Sequence, residues 1–145
     1  MLNRIAIAAV SGGLLTFPIA AYADAASEIA TAAQHAGFAA AAPNPAQTHM
    51  HLHHVVNCLV GPHDGDFDKT ITDPCAQDGN GAFPDESDPA IKAKLLSVMS
   101  VAEDGIASSD EAIAKKDAAI VETQLNPHFP DEEQIRRAVS AIQLS

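Results

Sequence analysis

Six consecutive residues, His49-Met50-His51-Leu52-His53-His54, carry four imidazoles and a thioether. Neutral imidazole suits zinc, copper and nickel alike, and a thioether favours copper, above all Cu(I). On a helix, His49 and His53 stand at i and i+4, a spacing that lets two rings converge on one cation from one face. His51 and His54, at i and i+3, do the same less ideally. The spacing therefore predicts a transition-metal site led by His49 and His53, with His51, His54 and Met50 as auxiliary ligands. Two ligands do not complete a site, so others must come from His35, His63, His128 or nearby aspartates. A solvated polar face carrying one or two core-edge histidines would give the same letters. The cluster also lacks the second fixed ligand pair that makes a zinc-finger spacing specific. At about 100° per residue, Leu52, Val55, Val56, Leu59 and Val60 form the core face. His49 and His53 lie at one edge of it and His51 at the other, close in angle to Cys58, while His54 and Met50 point mostly away.

Other chemistry is poorly represented. Asp64-Gly65-Asp66-Phe67-Asp68 begins like a calcium loop, but Lys69 stands where the sharp turn needs glycine and Cys75 where a bidentate Glu belongs. No register of Asp78-Gly79-Asn80-Gly81 matches such a loop either, so a turn-rich solvated loop is the expectation there. The sequence has no C-x-x-C-H for covalent haem, although a helical bundle could hold haem non-covalently between His and Met. Nucleophile-elbow, P-loop and dinucleotide glycine patterns are absent, as are Glu-x-x-His pairs of the di-iron type. An enzyme is not expected.

The elements that must position these residues begin after a leader. Residues 1–23 combine Arg4, an apolar run from Ile5 to Ile19, and Ala21-Tyr22-Ala23, the pattern of a secretory signal cut after Ala23. The remaining 24–145 is then a single exported domain, expected in the periplasm or secreted, with no membrane association. Removing Arg4 and no acid takes the formal charge from −11 to −12. That acidity argues against nucleic acid, which needs a basic surface to displace counterions, and against anionic lipid. Export also governs Cys58 and Cys75. In an oxidising compartment an isolated pair is expected as a disulfide, and closing this loop would stabilise the fold by about 3 kcal/mol. A thiolate metal site beside the histidines is the alternative.

The 23 alanines of 24–145 fall in helix-like stretches and no alternating strand pattern occurs, which predicts an all-α protein. The first helix is expected over 24–42, with Ile29, Ala33, Ala36 and Ala40 on one face. Asn44-Pro45 is an N-cap followed by a first-turn proline, opening a second helix that runs to Val60. Gly61 to Asp88 reads as a long loop without secondary structure, carrying seven aspartates and pinned by Cys75. Asp88-Pro89 opens a third helix with a stripe of Ile91, Leu95, Val98, Met99, Ala102 and Ile106. Ser108 and Glu111 form a capping box for a fourth helix ending near Leu125. A short last helix is expected from Asp131. Short links favour antiparallel neighbours, giving a small up-and-down bundle of four main helices, a C-terminal helix and a disulfide-stapled loop.

The leader, the alanine-rich helices and the second helix with its His49, Met50, His51, His53 and His54 resemble the small periplasmic His-rich helical-bundle metal-binding proteins. The resemblance covers the second helix only. It implies metal binding and assigns no ligands. Such proteins often repeat histidine along several helices, whereas the third and fourth helices here have none, which speaks against high-capacity buffering. A role in sequestration, delivery or sensing is therefore expected. The alternative is a module that binds another envelope protein through the loop 61–88, with the histidines incidental or pH-sensitive.

Overall fold

The computed structural model describes residues 25–126, so the leader, His128 and the helix expected from Asp131 lie outside the described residues. Among the described residues there are five helices and no strand: α1 Ala25–Ala41, α2 Pro45–Val60, α3 Ala82–Asp85, α4 Pro89–Ala107 and α5 Glu111–Leu125. The expected all-α class and four main helical segments are therefore found. α3 adds one helical turn inside the stretch expected to be irregular.

Local chemistry sets most boundaries. Asn44 is the N-cap of α2, its side-chain oxygen accepting from the Gln47 amide at 3.0 Å, with Pro45 in the first turn. Asp88 caps α4 the same way by accepting from Ala90 N at 2.7 Å. The fourth main helix differs from the expected capping box. Asp110, not Ser108, is its N-cap and accepts from Ala112 N, while Ser108 Oγ turns to the backbone of Asp110. The aspartate nearer the helix start supplies a charged acceptor, and a charged acceptor suits the positive end of the helix dipole.

α1 packs on α2 and α5, α4 packs on α5 and α2, and α2 also touches α5. The α1 side of the core is made almost wholly of alanine, with Ala32, Ala36 and Ala39 fully buried. Opposite them lie Leu52, Val55, Val56 and Leu59 of α2. Leu95, Val98 and Ala102 come from α4, and Ala118, Val121 and Leu125 from α5. Small side chains let neighbouring backbones approach closely, so the side chains that rise above them meet across the interface. Ile91 departs from the expected α4 stripe and is 40% exposed, because it lies in the first turn of the helix. No helix among the described residues is long and apolar enough to cross a membrane.

The segment between α2 and α4 is tied down at several points. Cys58 and Cys75 form the expected disulfide, both sulfurs buried. Their pairing removes the thiolate alternative. Asn57, 1% exposed, holds Asp68 by a two-way bond, its Nδ2 donating to Asp68 O at 3.1 Å and its Oδ1 accepting from Asp68 N at 2.9 Å. Gly61 (φ 74°) and Gly81 (φ 114°) lie backbone to backbone at the end of α2. A Cβ on either would collide with the other strand of chain, and only glycine adopts these dihedrals freely.

Candidate metal centre

His35 rises from the middle of α1 on the side facing α2. His51 and His54 rise from successive turns of α2 toward α1. The three rings meet: His35 Nδ1 lies 3.1 Å from His51 Nδ1 and 3.1 Å from His54 Nδ1. One ligand nitrogen from each ring falls within 4.8 Å of the others. Ring centroids are 4.6 Å apart for His35 and His54, 5.3 Å for His35 and His51, and 5.5 Å for His51 and His54. A tetrahedral ion with bonds of about 2.0–2.1 Å to nitrogen needs nitrogen atoms about 3.3 Å apart. The two shortest separations are thus already near those of a metal-bound set.

The electrostatics favour lone pairs over protons. Burial pushes the His35 imidazole down to about 4, helped by repulsion from His54 and His51. Burial also lowers His51 and His54, the latter further opposed by His51 and His53 and partly offset by the charge of Asp73. Near neutral pH the three rings are uncharged, the form that ligates metal. Phe38 covers the outer side of the group. Its ring stands edge-on to His35 at 5.6 Å and 5.4 Å from His51, yet 46% of Phe38 remains exposed. Three imidazoles fill three positions of a tetrahedron and leave the fourth for an exchangeable ligand, an arrangement that zinc and copper both accept.

The other described histidines are elsewhere. The i, i+4 pair expected to lead the site is not part of the group. His53 Nδ1 faces Asp68 Oδ2 at 3.4 Å, drawn there by the loop that Asn57 anchors, and His49 is half-buried one turn earlier on α2. The rings expected to assist, His51 and His54, are the ones that meet His35. His54 also departs from the helical-wheel expectation that it points away from the core. It is only 9% exposed, because α2 is covered by α1 as well as by α4 and α5 and its buried arc is wider than one apolar stripe. Met50 is exposed at the surface. His63 is exposed and lines a shallow hollow of about 300 Å³ with Asp64, Asn80 and Phe83.

The aspartates at the start of the loop are occupied locally. Asp64 Oδ1 accepts from Asp66 N, and Asp68 Oδ1 accepts from the amide and hydroxyl of Thr70, which hold the Asp68 carboxyl below its usual range. They form turns, as the missing glycine at Lys69 implied.

His35 was one of three undifferentiated extra candidates in the sequence. A signal for it exists in the spacing. Pro43 in the α1–α2 link stands eight residues from His35 and eight from His51, so a hairpin folded at Pro43 sets the two at the same level.

No family model matches the chain, and no curated protein or solved structure matches it.

Proposed function

We propose that this is an exported protein that binds a single transition-metal ion through His35, His51 and His54. The observation that carries the reading is the convergence of three uncharged imidazoles from two helices, with the His35 Nδ1 3.1 Å from the Nδ1 of both His51 and His54. The ion is zinc or copper, since an all-imidazole set suits both and neither requires a carboxylate. The open fourth position and the absence of further histidines on α4 and α5 fit delivery or sensing of one ion better than bulk storage. Placement outside the cytoplasm rests on the pattern of residues 1–23 and on the Cys58–Cys75 bridge, which persists in oxidising compartments. An up-and-down order of the four main helices, favoured by the short links at 42–44 and 108–110, belongs to the same reading.

Native mass spectrometry during zinc and Cu(I) titration tests it. One ion per chain is expected. The ion should be bound much more weakly in His35→Ala, lost in His51→Ala/His54→Ala, and retained in His49→Ala/His53→Ala. No bound ion at stoichiometric excess, or binding that depends on His49 and His53 instead, would contradict the assignment.

A further inference from the structure

Two turns before His35 on α1, Glu28 presents the opposite kind of problem. It is fully buried. Oε1 accepts from the Gly81 amide at 2.7 Å. Oε2 is also buried and has no hydrogen-bond partner. An ionised carboxylate left with a bare oxygen is costly to bury, whereas the protonated group carries no charge to desolvate.

Nothing positive faces this carboxyl to offset a charge. Burial pushes it up to about 7 against the Gly81 amide, and Asp85 of α3, Asp78 and Asp73 of the loop all oppose its ionisation. α2 and α5 also pack on α1 and add no charge that acts on Glu28 among the described residues. Glu28 and Asp85 crowd the same residue. A Cβ on Gly79 would stand 2.8 Å from Glu28 Oε1 and closer still to Asp85 Oδ2. Asp85 is the better satisfied anion of the two, because Asn80 donates to it from its amide at 2.7 Å and from Nδ2 at 3.1 Å. The proton therefore belongs on Glu28.

That carboxyl is also a point of attachment. The chain from 75 to 81 meets α1 at three places. Cys75 Sγ lies 3.9 Å from the Glu28 carbonyl oxygen, Thr31 Oγ1 donates to Asp78 Oδ2 at 3.4 Å, and Gly81 N donates to Glu28 Oε1. We propose that Glu28 is a proton-held latch: protonated, it seats the 79–81 stretch on α1, and loss of the proton releases residues 76–86 while the Cys58–Cys75 bridge keeps the rest tied to α2. Release uncovers Val60 and Ala82, both buried while the latch is closed. The latch uses none of the three clustered histidines, so it stands or falls independently of the transition-metal reading.

The test is amide hydrogen exchange of the full chain, treated with chelator and followed by NMR from pH 5 to pH 7.5. The seated carboxyl keeps its proton up to about 7 and a released one loses it near 4.5, so the latch weakens as pH rises between those values. After correction for the intrinsic pH dependence of exchange, protection of the Gly81 amide should fall at least about tenfold over this range. Protection of the Val121 amide, in the core of α5, should not follow it. Glu28→Gln keeps an acceptor for Gly81 and cannot ionise, so it should hold Gly81 protection constant. His35→Ala should keep the fall. The side-chain carboxyl of Glu28 should itself titrate near 7 by carbon-13 shift. Gly81 protection that ignores pH in wild type would overturn the proposal, as would an equal fall in Glu28→Gln or a Glu28 carboxyl titrating near 4.5. A parallel fall at Val121 would make the opening global, and the latch would be wrong.

Discussion

His35 and Glu28 lie seven residues apart on one face of α1, and burial acts on both by the same rule with opposite sign. It removes the charged form of each, pushing the imidazole down to about 4 and the carboxyl up to about 7. The surroundings then separate them. Around His35 the neighbours are two more bases, His51 and His54, each with its Nδ1 3.1 Å from the His35 Nδ1, and neutrality leaves each ring one lone pair. Around Glu28 the neighbours are three acids, and one carboxylate oxygen is left without a partner. The first region needs only a soft or borderline cation to be satisfied. The second needs a proton. Low dielectric alone does not make a metal site; the groups gathered around the buried side chain decide what can satisfy it.

The largest expected effect that sharpens this contrast is on metal affinity. Removing one of three ligands in His54→Ala should weaken zinc binding at least about 100-fold, or ~2.8 kcal/mol, in a competition titration with a coloured chelator. His49→Ala/His53→Ala should change it less than about threefold, or ~0.7 kcal/mol. Next comes the staple that holds the acid-rich segment against α1. Cys58→Ser/Cys75→Ser should lower unfolding free energy by about 3 kcal/mol in urea, and the loss should leave α4 and α5 helical by circular dichroism. Asn57→Ala removes both hydrogen bonds to the Asp68 backbone, a loss of about 0.5–1.5 kcal/mol for each in the same assay. It should also free His53, whose partner Asp68 is held by those bonds.

The smallest effect is the pH dependence of the chelator-treated protein. The unfolded His35 binds its proton near 6.5 and the folded one only near 4, so its contribution to stability falls as pH drops through that window. Glu28 works the other way. The folded carboxyl keeps its proton up to about 7 while the unfolded one loses it near 4.5, so its contribution falls as pH rises between those values. The two slopes oppose each other in wild type. Glu28→Gln should leave stability that rises with pH from 4 to 6.5, and His35→Gln should leave stability that declines toward pH 7. Urea unfolding across pH 4–8 reads both. The same slope in both variants would break the comparison.

Much of the framework was legible in the residues. Asn44-Pro45 and Asp88-Pro89 mark helix starts because cap and proline chemistry is local, and the cysteine pair needed no more than a compartment argument. The Ser108 cap was misplaced by two residues because an equally good acceptor, Asp110, sits closer to the helix. The metal site was legible only in part. One helical wheel describes one stripe, whereas α2 is enclosed by several neighbours, so His54 turned out buried and not solvent-facing. Spacing along α2 favoured His49 and His53, but tertiary contacts outvoted it: the loop took His53 through Asp68, and α1 supplied the third imidazole. Glu28 carried no signal, since an acid in the first turn of a helix is ordinary and its burial is set by Gly79 and Gly81, some fifty residues away.

X-ray absorption of the zinc-loaded full chain tests the central claim most directly. The account predicts a first shell of three imidazole nitrogens at about 2.0–2.1 Å plus one light exchangeable ligand, reduced to two imidazoles in His35→Ala. A first shell with two or fewer imidazoles in wild type, or one unchanged by His35→Ala, would contradict it.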